Sequence, residues 1–371
     1  MKVVQIIDSL RVGGAQTLES VFAREMLRRG EQVQVISLHP PETHSPIYQE
    51  LRQLGVEVRN IPLRSLADLW RTRRIQAVLR DGGADIVHTQ LNYANIHGTL
   101  AAHWAGIPSV ASLHNASVHL YSYKPYRTRL ETRALSRYAQ RVVACGHTVA
   151  RVQQARFKHK KLDVIPNPVP DLPDISKEQR RAARLEFLAD GEGLLLVSVG
   201  RLIPEKGYAD LIEAFALAYP RLPHPARLLI VGKGPLRTEL QAQIDAKGLA
   251  DAILLTGERN DVPALLAAGD IYVSSSHYEG QSLAVLEAML SALPVIATDV
   301  GDNRQIIMER CGLVLPPQQP EQLAQAVLRL AGDPQMRNSL GQNASRCVQK
   351  NYAPALWVER LLALYDEVLH G

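Results

Sequence analysis

A chain of 371 residues, 46% of them apolar, exceeds what one hydrophobic core usually organises, so two packed domains are expected. The formal net charge of +5 is the sum of two unequal parts: residues 1–170 hold 23 Lys/Arg against 12 Asp/Glu, and residues 171–371 hold 19 against 25. Cys145, Cys311 and Cys347 lie far apart, which excludes a zinc ribbon or a disulfide framework and leaves reduced, packed thiols.

The basic half suits a partner that concentrates negative charge, whether nucleic acid, an anionic membrane surface or an acidic acceptor, and composition does not choose among them. No window is apolar for long enough to span a bilayer, and Met1-Lys2 runs into an apolar strand without the spacer of a secretory signal. A cytoplasmic protein is therefore expected.

Along the chain, short β-branched runs alternate with segments of helical periodicity, as in parallel sheets built from strand-helix-strand units. The first series of strands covers residues 3–8, 33–38, 56–61, 85–89, 109–114, 141–145 and 163–165, with helices such as 15–29 between them. Pro166-Asn167-Pro168-Val169-Pro170, with Pro173, then interrupts any regular element. A second series follows at 194–200, 227–232, 252–257, 271–276, 294–300 and 313–315, and the tail 353–370 reads as one amphipathic helix.

Ligands of open parallel sheets sit beyond the carboxyl ends of the strands. After the first strand, Gly13 and Gly14 precede a helix and let backbone amides approach an anion at its positive end. They lack the Gly-x-Gly-x-x-Gly spacing of a dinucleotide site, which argues against a nicotinamide dehydrogenase. After the first strand of the second series, the loop 200–207 carries Arg201, a forked donor, and Lys206, a compact charge. Together they would neutralise a diphosphate in place of a metal.

The segment 274–289 is the most informative. Glu279 stands in a loop; Gly280, Gln281, Ser282 and Leu283 offer consecutive amides at a helix start; Glu287 follows about two turns later. Carboxylates accept hydrogen bonds from polyol hydroxyls, so two of them beside phosphate-binding amides suit a sugar nucleotide. There is no Asp-x-Asp and no His-x-x-x-His, so neither a metal nor any other cofactor is expected. His114 ends one strand of the first series and His88 another, the latter a secondary candidate.

Six segments in this order resemble one family. They are Gly13-Gly14-Ala15-Gln16, Ser112-Leu113-His114-Asn115, Val164-Ile165-Pro166-Asn167-Pro168-Val169, the loop 200–207, Val231-Gly232-Lys233-Gly234-Pro235 and the segment 279–289. The chain resembles, over nearly its whole length, the retaining, metal-independent glycosyltransferases that share a Glu-x7-Glu motif, the family 4-like or group 1 glycosyltransferases. The resemblance implies an α/β GT-B fold, two Rossmann-like domains whose parallel sheets face across a cleft. The acceptor-side domain would be 1–168, a linker and connecting helix 169–190, the donor-side domain 191–352, and a helix packing back toward the first domain 353–371.

It further implies that Gly13 and Gly14 lie by the donor phosphates and that Arg201 and Lys206 bind the diphosphate. Glu279 with the amides of Gly280, Gln281, Ser282 and Leu283 would hold the sugar, Glu287 would hold the ribose, and His114 would orient the transferred sugar. Gly232, Gly257, Glu258 and Arg259 would complete the donor site, the last three beside the base. The implied reaction moves a hexose-type sugar from a nucleotide diphosphate, UDP before GDP, to a glycan, lipid-linked or polysaccharide-precursor hydroxyl. A double displacement through a carboxylate nucleophile is the other route to retention, and spacing nominates no such nucleophile.

Such enzymes often work at the inner membrane face. There the basic segments 71–74, 158–161 and 121–129 could meet anionic lipid; nucleic acid is not an implied partner. A sugar-nucleotide epimerase of the same fold and a non-catalytic carbohydrate-binding protein are the alternatives. The second of these would not need Glu279, Glu287, Arg201 and Lys206 at strand ends.

Overall fold

A computed structural model describes residues 1–11, 13–114 and 125–371, the side chain of Glu309 aside. Asn115 and the 121–124 part of the basic segment 121–129 fall outside the described residues. The chain forms two compact units, Met1–Pro170 together with Ala353–Gly371, and Asp171–Tyr352.

The first unit runs β1 (Lys2–Ile7), α1 (Gly14–Arg28), β2 (Gln32–Ser37), α2 (Pro46–Gln53), β3 (Glu57–Asn60), α3 (Leu69–Asp81), β4 (Ile86–Gln90), α4 (Asn92–Ala105), β5 (Ser109–Leu113), α5 (Pro125–Tyr138), β6 (Arg141–Ala144), α6 (His147–Gln153) and β7 (Asp163–Val164). Its strands make one sheet in the order β3-β2-β1-β4-β5-β6-β7. Every pairing in it is parallel. Parallel strands covered by helices on both faces need apolar side chains on both, and β1, β4 and β5 are buried nearly end to end. Val4, Ile6, Ile36, Ile75, Leu79 and Val87 form one packed cluster, and Ala111, Leu135, Val142 and Phe157 another.

The second unit runs α7 (Lys177–Leu185), β8 (Leu194–Val199), α8 (Tyr208–Ala218), β9 (Ala226–Val231), α9 (Arg237–Ala246), β10 (Ile253–Gly257), α10 (Val262–Ala268), β11 (Ile271–Ser274), α11 (Leu283–Leu290), β12 (Val295–Thr298), α12 (Asn303–Ile306), α13 (Met308–Cys311), β13 (Gly312–Leu315), α14 (Pro320–Gly332) and α15 (Pro334–Asn351). Its sheet has the order β10-β9-β8-β11-β12-β13, again wholly parallel. Leu194, Leu196, Phe215, Ile230, Val273, Ile296 and Leu330 lie in its core.

Residues 171–190 belong to this unit and do not form a free linker. Ser176 and Gln179 start α7 with a reciprocal capping box. Arg184 then pins the helix, donating to the carbonyls of Gly191, Gly193 and Ala268 and to Asp270. The proline-rich run ends at the boundary between the units, after the Asn167 amide donates to the Cys145 carbonyl at 3.4 Å.

The last helix, α16 (Pro354–His370), is part of the first unit. Trp357, Val358, Leu361, Leu364 and Tyr365 form its buried stripe. Trp357 and Tyr365 meet Phe22 of α1 edge-on, with centroids 6.0 and 6.4 Å away. The Tyr365 hydroxyl lies 2.5 Å from His88 Nδ1, and His88 Nε2 lies 2.8 Å from Ser112 Oγ. His88, only 1% exposed, is therefore a packed structural residue of the sheet and lines no site, a correction to its candidacy. Burial lowers its pKa to about 3, so the ring is neutral.

The basic segments are also partly committed. Arg71 pairs with Asp68 at 2.6 Å, and Lys160 donates to the Leu135 and Ala139 carbonyls. No described helix is long and apolar enough to cross a membrane. All three cysteines are buried thiols outside any disulfide. Cys311 and Cys347 are neighbours, and burial, with Cys347 beside it, pushes the Cys311 thiol up to about 11.

Glu19 is an internal cost of this packing. It sits on the buried face of α1, fully inaccessible, and neither carboxylate oxygen has a hydrogen-bond partner among the described residues. Desolvation raises its pKa to about 8. Between pH 4.5 and 8 the unfolded chain ionises this carboxyl and the folded chain does not, so the folded state binds more protons and stability falls as pH rises. Glu19→Gln is expected to flatten that fall. Denaturant unfolding at pH 5 and pH 8 should show the variant gaining at least about 1 kcal/mol on the wild type at the higher pH; equal slopes would place the charge elsewhere.

Candidate active site

In the second unit, strand order reverses between β8 and β11, so the loops leaving these strands turn to opposite faces and open a crevice at their carboxyl ends. The β8 loop carries Arg201 and, after a short turn over Pro204–Lys206, Gly207. The β11 loop carries Ser275, Ser276, His277 and Glu279 and leads into α11.

Three contacts fasten these loops together, and one within the β11 loop supports them. Lys206 Nζ donates to Glu279 Oε1 at 2.6 Å. Ser276 Oγ donates to the same oxygen at 2.7 Å. Ser275 Oγ donates to the Lys206 carbonyl at 2.9 Å, and the His277 amide donates to the Glu205 carbonyl at 2.8 Å. The approach needs a glycine at 207: its φ is +61°, and a Cβ there would lie 2.2 Å from the Ser275 carbonyl. His277 Nε2 also meets Asp210 of α8 at 2.7 Å.

Glu279 is thereby held by one oxygen, while Oε2 has no partner among the described residues. Glu287, on α11, is half-buried, and its carboxylate makes no hydrogen bond or ion pair among the described residues. Burial pushes its carboxyl up to about 7. Between the two glutamates, α11 begins at Leu283 after Ser282, whose side chain makes no cap. The first amides of the helix are left without intrahelical partners, at its positive end. The Gly280 carbonyl accepts from the Asp302 amide at 3.0 Å, which seats the turn before it.

Arg201 is exposed and makes no ion pair among the described residues. Its loop is braced from β9: the Leu202 amide donates to the Lys233 carbonyl at 3.0 Å. Gly232, at φ +145°, runs so close beneath that a Cβ would lie 2.0 Å from the Gly200 carbonyl. The Gly232 amide in turn donates to the Gly257 carbonyl at 2.8 Å, joining the ends of β9 and β10.

Beyond that joint, Glu258 pairs with Lys233. Arg259 is enclosed by two acids, Glu186 at 2.7 Å and Asp261 at 2.7 Å. Four of its five donors are used, so Arg259 braces α7 against the β10 loop and has little left with which to contact a base.

The remaining candidates lie in the first unit, also at strand ends around a reversal of order, between β1 and β4. Gly13 precedes α1 in an extended conformation without a side-chain cap, and Gly14 is the first helical residue. Asp8, at the end of β1, accepts the Ala94 and Tyr93 amides of α4 at 2.7 and 3.3 Å. Even so, burial raises its pKa to about 7. His114 follows β5. Burial lowers its pKa to about 4, giving a neutral ring. Its Nε2 faces Gln90 Oε1 at 3.0 Å, and Gln90 is itself oriented by Gln5 at 3.2 Å. Nε2 therefore carries the proton. Nδ1 is left a buried acceptor with no partner among the described residues, suited to a hydroxyl donor.

Sequence reasoning missed Asp8, Asp210 and His277. An acid directly after the first strand was a visible signal for Asp8. Nothing in the spacing of Asp210 and His277 announced that they meet. Among the described residues, no three His, Cys, Asp or Glu side chains gather as ligands of one ion.

Comparison with known proteins places this arrangement. The family model for Glycosyltransferase Family 4 matches residues 12–171, and that for Glycosyl transferases group 1 matches residues 179–346. Alpha-D-kanosaminyltransferase of Streptomyces kanamyceticus is 26% identical, over 95% of this chain and 99% of its own. UDP-Gal:alpha-D-GlcNAc-diphosphoundecaprenol alpha-1,3-galactosyltransferase of Escherichia coli is also 26% identical, over 84% of this chain and 82% of its own. The crystal structure of Anabaena Alr3699/HepE in complex with UDP-glucose superposes with a TM-score of 0.84 at 21% identity, covering 99% of this chain and 100% of that one. The shared architecture is GT-B, and the chain belongs to the group 1 glycosyltransferases of the family 4 type.

Proposed function

We propose that the protein transfers a hexose-type sugar from UDP, with retention of anomeric configuration and without a metal ion, to a hydroxyl of a glycan or lipid-linked acceptor. The observation that carries this reading is the unsatisfied polar set at one reversal of strand order: the exposed Arg201, the uncapped amides of α11, Glu279 Oε2 and the half-buried Glu287. Cations and amides complement a diphosphate, and the two carboxylates complement the hydroxyls of a sugar and of a ribose. Two relatives support the carrier: one is named for UDP-Gal, and the Anabaena structure holds UDP-glucose.

In the proposed step the acceptor hydroxyl attacks the anomeric carbon from the face the diphosphate leaves. The bond to the diphosphate oxygen breaks, and the acceptor's proton passes to that oxygen. Negative charge grows on the leaving group in the transition state, where Lys206, held by Glu279, the unpaired Arg201 and the α11 amides would meet it. The Lys206–Glu279 pair keeps both groups in place before the donor arrives, lowering the reorganisation needed.

Arg201→Ala and Lys206→Ala are each expected to lower kcat by about 10²–10³-fold, with unchanged circular dichroism; full activity in both would remove these residues from the diphosphate site. In a thermal-shift panel with chelator present, UDP should stabilise the protein more than GDP, ADP or NAD, and the effect should vanish in Arg201→Ala and Glu287→Ala. Stabilisation by NAD alone would overturn the donor assignment.

UDP binding should also report the state of Glu287. Burial holds its carboxyl at about 7, and only the ionised form offers both oxygens as acceptors to the ribose hydroxyls. Affinity is therefore expected to rise from pH 6 to pH 8 and to do so less in Glu287→Gln, as followed by calorimetry. Parallel profiles would show that Glu287 does not touch the nucleoside.

A further inference from the structure

The first unit carries a basic groove that the sites above do not use. Thr128, Arg129, Thr132, Arg133 and Ser136 fall along one face of α5. Arg156, in the turn after α6, closes a groove of about 490 Å³ against them, and no carboxylate of the described residues lines it.

Arg156 is the groove's fixed wall. Its guanidinium donates to Glu131 Oε2 at 2.6 Å, to Thr132 Oγ1 at 2.9 Å and to the Thr128 carbonyl at 3.2 Å. The buried Glu131 thus balances Arg156, and nothing balances the other two arginines. Arg129 and Arg133 are exposed and make no ion pair or hydrogen bond among the described residues. The Thr128 and Ser136 hydroxyls donate to no partner among them either.

Like charges four residues apart repel on a helix. Two unpaired guanidinium groups over one groove are an arrangement that a bound anion relieves. Forked donors flanked by hydroxyls match the tetrahedral oxygens of a phosphate better than a planar carboxylate, which would fill one fork and leave the hydroxyls idle.

We propose that this groove binds a phosphate or diphosphate group. The assignment of that group to the acceptor rests on the transferase reading above, in which Arg201 and Lys206 of the other unit serve the donor's own diphosphate.

The test is calorimetric titration of inorganic pyrophosphate into the full chain, for wild type and Arg129→Ser/Arg133→Ser with UDP stoichiometric with the protein, which fills the donor site without excess diphosphate, and for Arg201→Ala without UDP. Pyrophosphate is expected to bind the wild type and Arg201→Ala alike, with Kd raised at least about tenfold, or about 1.4 kcal/mol, in the double variant. Both serines replace exposed residues, and an unchanged melting temperature with unchanged UDP binding would show the double variant intact. Equal affinity in wild type and double variant, no binding at all, or loss in Arg201→Ala alone would each overturn the groove. Failure of the wild type to bind UDP would count against the donor reading only.

Flotation with vesicles of phosphatidylcholine, with and without phosphatidylglycerol, separates the sources of the phosphate. Recovery with the anionic vesicles alone, abolished by the double substitution and by pyrophosphate, assigns the groove to a lipid headgroup. Pyrophosphate binding without flotation assigns it to a soluble phosphate ester.

Discussion

Both sheets are wholly parallel, and the rest of the molecule follows from that constraint. A parallel neighbour can be reached only by crossing over the sheet, so each crossover lays a helix or a long loop on one face. Where strand order reverses, successive crossovers take opposite faces, and the loops at the carboxyl ends part. This happens between β1 and β4 in one unit and between β8 and β11 in the other. Polar groups stay without partners among the described residues there, including the Arg201 guanidinium, Glu279 Oε2 and the first amides of α11.

Keeping polar groups in those crevices requires neighbours that hold them without consuming them. Lys206 and Ser276 both use one oxygen of Glu279. Ser275 and Glu205 tie the same two loops through backbone carbonyls, and Asp210 steadies His277. The result is a carboxylate with a defined direction and one free acceptor. A partly buried ion pair is costly to desolvate, and its value here lies in orientation more than in stability. Arg259 shows the opposite outcome: its charge is consumed by Glu186 and Asp261, and it serves as a brace.

Burial also sets the charge state of several acids and rings. Asp8 and Glu287, each at a strand-end crevice or on the helix leaving it, have carboxyls raised to about 7. His88 and His114 are neutral for the same reason. The two histidines still differ. His88 has both nitrogens engaged, by Tyr365 and Ser112, whereas His114 keeps one nitrogen unpartnered among the described residues. Charge state alone would not have told the packed residue from the candidate one.

The sequence by itself determined the thirteen strands and their division into two units, because strands buried on both faces read as short continuous apolar runs between helical segments. It also located the loops after β8 and β11, where Arg201, Lys206, Glu279 and Glu287 stand. Strand and helix ends shifted by a residue or two, since end residues are held by single bonds that pattern does not reveal. Only the tertiary structure decided which groups are free. Lys206 meets Glu279 and Arg259 meets Glu186, each across 73 residues, and His277 meets Asp210 across 67. It also placed residues 171–190 in the second unit and set His88 against a tyrosine 277 residues away. Local pattern reports burial and periodicity. Whether a charged side chain is neutralised depends on what the folded chain brings within about 3 Å of it, and no spacing along the sequence carries that distance.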